Sequence, residues 1–229
     1  MSPHRKVYTS GKIYIFAIWA VISSISYADQ TFKGSWNAFT LTTPQKEHSV
    51  FFYYKVEARF FNDNQQDEFL TRPAFGYMVT KKLSLWLGYD LFQRMQNSAR
   101  YTQAYWQQLQ TTLMQTSQLN LGFRNRIEAR YNHLAPKTAF RDRARAFFTF
   151  NDAISKGISP VIYDEIFFNL NHPQWVSAKT ISQNRYFAGI EWQLDKYTNL
   201  LVGYLERNSY ERLGTIRDHL LSIELEVKL

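Results

Sequence analysis

Between Ser117 and Phe150 the chain alternates with a period of two, and only extended strands accommodate that pattern. From Leu119 onward, Leu119, Leu121, Phe123, Ile127, Ala129 and Tyr131 share one side, interrupted by Asn125, while Asn120, Gly122, Arg124, Arg126, Glu128 and Arg130 share the other. Such a period is the signature of a β-strand. After a break at Asn132–Thr138 containing Pro136, a second run sets Arg141, Arg143 and Arg145 against Ala144, Ala146, Phe148 and Phe150. Two neighbouring strands thus carry arginines on one side and apolar groups on the other. A soluble sheet would turn the first side to water, whereas a membrane barrel would turn it inward and the second side to lipid.

The N-terminus favours the barrel. His4, Arg5, Lys6 and Lys12 precede an apolar run from Ile13 to Ile22, and Ser26-Tyr27-Ala28 provides a small-x-small cleavage site. This is the pattern of an export signal spanning 1–28, which leaves 29–229 as one domain. The sequence holds no cysteine, so no disulfide helps to order an exported chain. Aromatics make up 17% of the residues, including 15 Tyr and 6 Trp, the side chains that suit a membrane interface because one end is apolar and the other wet.

Alternating runs recur along the mature chain at Gly34–Leu41, Val50–Phe61, Glu68–Val79, Leu83–Gln93 and Thr102–Met114. After the arginine hairpin come Pro160–Asn169, Arg185–Leu194, Asn199–Arg207 and Thr215–Leu229. Most are as long as a membrane-crossing strand, about 9–11 residues, and longer than the usual strand of a soluble sandwich, about 5–6. Pro73 predicts a bulge or local break in the third run. Short turns near Thr80, Thr116, Ile154 and Lys196 alternate with links at Asn62–Asp67, Met95–Tyr101, Asn132–Thr138, Leu170–Asn184 and Asn208–Gly214, which places the first set at the periplasmic end and the second outside. The expected fold is all-β, an antiparallel up-and-down transmembrane β-barrel of 10–12 strands. Eleven runs are visible, and the even count of bacterial single-chain barrels makes twelve the preferred number.

Alternation also sorts the charges. The inward set comprises Lys55, Glu57 and Arg59 on the second run, Arg72 and Asp90 on the next two, and Arg124, Arg126, Glu128, Arg130, Arg141, Arg143 and Arg145 on the hairpin. Glu165, Arg185, Glu191, Glu224 and Glu226 follow, with Glu68, Arg94, Arg207, Asp218 and Lys228 of the same parity. Side chains two apart on a strand lie about 7 Å apart, where like unit charges repel by about 2 kcal/mol at an effective dielectric near 20. The Arg141–Arg143–Arg145 ladder therefore needs either facing carboxylates, with Glu128 the nearest, or water and mobile anions. On the outer face Leu85, Leu87, Ile190, Leu221 and Ile223 are expected to meet lipid, so that arginine at Leu87 is damaging and arginine at Ser84 tolerated.

Several of these residues together resemble a known family. Trp36, Arg59, the Gly88-Tyr89 and Gly203-Tyr204 pairs, Arg124-Asn-Arg126-Ile-Glu128-Ala-Arg130 followed by Arg141-Asp-Arg143, Asp164-Glu165-Ile-Phe167, Gln183-Asn184-Arg185 and Asp218-His219 are similar in order and spacing to the domain of unknown function 2490 (DUF2490) family of bacterial proteins. The resemblance extends over nearly the whole mature chain. It implies an outer-membrane-like β-barrel and no particular activity.

No catalytic constellation is legible. His48, His133 and His172 fall in connections and His219 on the outward face, none with a serine and an acid at useful spacing. Metal-ligand spacing, a phosphate loop and a dinucleotide fingerprint are all missing from the sequence, so no cofactor is expected. Arginines aimed into a lumen and mixed with acids do not make a nucleic-acid surface, and the expected partners are outer-membrane lipids and the outer-membrane assembly machinery. Two functions stand: a narrow passive channel or structural surface barrel with an arginine-rich lumen, and a lipid- or lipopolysaccharide-modifying barrel enzyme.

Overall fold

The computed structural model describes residues 30–62, 67–95 and 97–229, among which every regular element is a strand. The 1–28 export segment lies outside the described residues. In chain order the strands are β1 (Gln30–Thr42), β2 (Val50–Phe61), β3 (Glu68–Thr80), β4 (Leu83–Arg94), β5 (Asn97–Gln115), β6 (Leu119–Asn132), β7 (Ala139–Phe150), β8 (Ile158–Asn169), β9 (Ile181–Gln193), β10 (Thr198–Tyr210) and β11 (Thr215–Lys228). Each pairs with its sequence neighbours, and β1 joins β11 to close the barrel.

The described barrel has eleven strands, within the expected range but one short of the preferred twelve. An odd meander brings its last strand back in the direction of its first. Accordingly β1 and β11 pair in parallel, from Gln30↔Ile216 to Thr42↔Lys228, while every other pair is antiparallel. Evenness is a habit of bacterial barrels rather than a condition of closure, because parallel and antiparallel ladders both satisfy the backbone.

Local boundaries shift as well. The polar stretch after Met95 does not form a long link, because β5 starts at Asn97 and pairs that residue with Arg94. Likewise β9 starts at Ile181, which leaves 170–180 as the connection from β8. Pro73 interrupts pairing to β4, which skips Arg72 and Pro73 without a change of register; the register shift in that ladder lies at Met78/Thr80. Links 43–49, 81–82, 116–118, 151–157 and 194–197 share one end, here the turn end, with Leu229. The others share the opposite, loop end with Gln30. Length separates the two ends poorly, since 43–49 and 151–157 are no shorter than 133–138.

Alternation decides which side chains face out. Val50, Phe75, Leu87, Tyr105, Ile127, Trp192 and Leu221 are exposed around the outer wall, with Leu85 and Ile190 among them and Ile223 half-buried. Inside, two apolar clusters fill space between charges: Phe51, Ala74, Met78, Trp86 and Trp106 toward the turn end, and Trp36, Phe61, Val161, Phe187, Leu205 and Leu220 across the closing strands. Inward glycines make room for these rings. A Cβ on Gly76 would stand 2.0 Å from Phe51, and one on Gly88 2.1 Å from Trp106.

The filling corrects one expectation. Ser84 is only 6% exposed and accepts a hydrogen bond from Trp86 Nε1 at 2.8 Å, so it has no room for arginine. Leu87 is 62% exposed near the middle of β4, and Leu87→Arg is expected to destabilise the barrel in lipid by about 2–4 kcal/mol. Urea titration of folding into liposomes measures this, and an unchanged midpoint would mean that β4 does not turn Leu87 to lipid.

Candidate functional site

The interior charges meet at the barrel waist, where register brings opposite signs together. The β6·β7 hairpin pairs Glu128 with Arg141 and Arg126 with Arg143, and β7·β8 pairs Arg145 with Glu165. Glu128 and Glu165 are both 0% exposed. Glu128 Oε2 accepts from Arg141 Nε at 2.8 Å and from Nη2, and its Oε1 accepts from Arg143 Nη1 at 2.8 Å. Glu165 is ringed by Arg124 at 2.7 Å, Arg143 at 3.1 Å, Arg145 at 3.0 Å and Arg185 at 3.6 Å. Carboxylates therefore neutralise the arginine ladder, with Arg143 bridging both acids.

A second group completes the ring. Arg59 binds Glu57 at 2.6 Å and Glu68 at 2.8 Å, while Arg207 spans Glu68 at 3.0 Å and Asp218 at 2.6 Å. Arg72 holds Asp90 through two nitrogens, at 2.7 and 2.6 Å, and Trp106 Nε1 donates to the same carboxylate at 2.6 Å. Arg126 binds Gln108 Oε1 through Nε and Nη2, at 2.9 and 2.6 Å, and lies 3.7 Å above the Trp106 ring. Charges this deep are costly to desolvate and persist only with close partners and further hydrogen bonds.

Aromatic faces are the part that alternation of charges did not reveal. Arg59 stacks 3.7 Å over Trp36, and Phe167 lies within 5.0 Å of Arg141, Arg143 and Arg185. Part of the signal was available in parity: Phe167 alternates in step with Glu165 on β8, and Gly88 faces Trp106 across β4·β5.

Not every inward charge joins the waist. Lys55 links the two regions, bound to Glu224 at 2.8 Å beside the closing strands, where Thr40 Oγ1 also donates, and to Glu57 at 3.5 Å. Glu226 pairs with Lys228 at 3.4 Å near the turn end, and Glu191 stands level with Glu224 across Leu201. Arg130 lies apart near the loop end, over Trp175. The interior is thus acidic toward one rim and arginine-rich toward the other. Among the described residues no group of His, Cys, Asp and Glu is arranged to hold a metal ion.

This arrangement belongs to a recognised sequence family. The sequence model of a family described as "Protein of unknown function (DUF2490)" matches residues 33–215. The chain belongs to that family. All the waist residues except Asp218 fall within the matched span of this DUF2490 barrel. It is similar to an uncharacterized protein of Methylorubrum extorquens, 27% identical over 186 residues that cover 78% of this chain and 81% of the relative. Its fold is similar to the solved structure of the NanC porin, with a TM-score of 0.50 at 8% identity, over 80% of this chain and 94% of the porin chain. At that identity the likeness bears on the barrel fold alone.

Proposed function

We infer that this DUF2490 barrel resides in the outer membrane of a diderm bacterium, exported behind a cleaved signal, and acts there as a structural surface barrel shut at its waist rather than as an open pore. An outer wall of exposed Val, Leu, Phe, Tyr and Trp suits lipid, and closure leaves no sheet edge in hydrocarbon. In this reading the loop end, which carries the longest described connection, 170–180, faces the cell exterior. Outer-membrane lipids and the outer-membrane assembly machinery are its partners in this reading.

The observation that carries the closed state is the pair of unexposed carboxylates, Glu128 and Glu165, gripped by arginines of β6, β7 and β9. A network anchored on three strands and packed against Phe167, Trp36 and Trp106 supports a waist closed to ions. In planar bilayers the refolded chain is expected to insert without stepwise ion conductance. Regular anion-selective steps would reject the closed waist and restore the channel.

The enzymatic reading draws on the outward face, where His219 Nδ1 hydrogen-bonds the Tyr204 hydroxyl and shares a groove with Ser35. There Tyr204 occupies the nitrogen, Ser35 accepts from Asn37 at 3.0 Å, and no hydrogen bond joins Ser35 to His219 among the described residues. Incubation with phospholipid or lipopolysaccharide followed by mass spectrometry separates the readings. Release of an acyl chain or head group would favour the enzyme.

A further inference from the structure

We propose that the loop-end cup of this barrel is a binding site for a small anionic solute, a phosphate or hydroxycarboxylate, gripped by the Arg130 guanidinium. The cup encloses about 410 Å³, inside the range of small-ligand sites, roughly 300–1,000 Å³. Arg94, Arg130 and Arg141 contribute to its lining, against Glu211 as the one carboxylate there. A second cavity of about 160 Å³ shares Arg130, Arg141 and Gln183 with it.

Arg130 differs from the waist arginines. Among the described residues no carboxylate or other hydrogen-bond acceptor pairs with it, and its guanidinium lies 5.3 Å from the Trp175 ring centroid. Its neighbour Arg141 uses Nε and Nη2 on Glu128, and its Nη1 makes no hydrogen bond among the described residues. Forked N–H donors in a walled pocket are complementary to an oxyanion, which takes parallel charge-assisted hydrogen bonds. Gln183 supplies a second, independent requirement, because its Oε1 is buried without a hydrogen-bond partner. An occupant with a hydroxyl beside its anionic group satisfies both.

The cup is also preformed. Trp175 Nε1 donates to Lys137 O at 2.7 Å, and Asn169 Nδ2 donates to Ser177 O at 3.0 Å and Lys179 O at 3.1 Å. Asn171 Nδ2 donates to Thr138 O at 2.9 Å, and Ser177 Oγ donates to Tyr210 O. The 170–180 connection is thereby pinned to its neighbours, which lowers the ordering cost of binding. The site depends on the cup alone, so it stands whether or not the waist conducts.

Calorimetry on the detergent-solubilised full chain tests it, with inorganic phosphate, lactate and glycerol titrated at fixed ionic strength. Saturable one-site binding of phosphate or lactate, with Kd on the order of 1 mM or tighter, and none of glycerol, is the expected result; whichever anion binds defines the class. Arg130→Gln should weaken binding about ten- to a hundredfold, with Arg130→Lys between it and wild type. Wild-type protein adds a measurement free of folding defects: phenylglyoxal should modify Arg130, and the bound anion should protect it. Silence toward both anions, equal affinity in Arg130→Gln, or modification of Arg130 that neither anion slows would each overturn the proposal.

Discussion

Glu165→Ala is expected to destabilise this barrel by about 3–5 kcal/mol, the usual cost of removing one partner from a buried ion pair. The reason lies in what remains. Arg124, Arg143, Arg145 and Arg185 converge on a carboxylate that has no exposure. Without it only Arg143 keeps an ion pair, through Glu128. Glu165→Gln should fall between Ala and wild type, because it keeps the volume and an acceptor but loses the charge. Urea midpoints from tryptophan fluorescence of folded barrel, read beside heat-modifiable gel mobility, order the three. A midpoint for Ala that matches wild type would show that the four guanidiniums are balanced by something other than Glu165.

The second large effect is expected when Arg141, Arg143 and Arg145 are changed together to Ser. All three sit on the inner face of β7, and their loss removes every cation bound to Glu128 and leaves Glu165 with Arg124 and Arg185. Stability should fall, and on the closed-waist reading the cleared waist should admit ions. The stranded acids then set the selectivity, so reversal potentials under a salt gradient should indicate a cation preference. A triple variant as stable and as silent as wild type would place these arginines off any path through the barrel.

Much of this was readable from period-two alternation, for a physical reason. A strand that buries one face cannot slip by one residue without turning every side chain over, so parity records inside and outside along β2, β4, β6, β7 and β11. The pairing of Arg141 with Glu128 followed from hairpin register across 133–138. Glu165 was placed on the inner face, but its role as the hub of four arginines depends on how three strands curve toward one point, which no local pattern encodes. The same holds for Arg130: its parity matches that of Arg126, and only the fold of 170–180 sets it apart. Strand number went differently, since eleven lies inside the expected range of 10–12 but is not its preferred value. Counting runs gave eleven, and a rule drawn from other barrels moved the preference to twelve, although nothing in the alternation asked for another strand. The start of β5 was missed because Asn97–Tyr101 is polar, and at a rim the backbone ladder continues past the last apolar residue.

The parallel closure has a consequence for assembly. Ten of the eleven ladders join strands adjacent in the chain and can zip as hairpins, whereas β1 to β11 ties residues 30–42 to 216–228. Until β11 arrives, both β1 and β10 present bare edges that hydrocarbon does not tolerate. Glu224 reaches the site from that last strand and takes up Thr40 and Lys55 at once, so the seam is latched by side chains as it forms. The direction of travel matters too. The chain enters the cylinder at one rim and leaves it at the other, so tags placed before Gln30 and after Lys228 would lie at opposite rims, an arrangement that an up-and-down barrel with an even number of strands cannot produce.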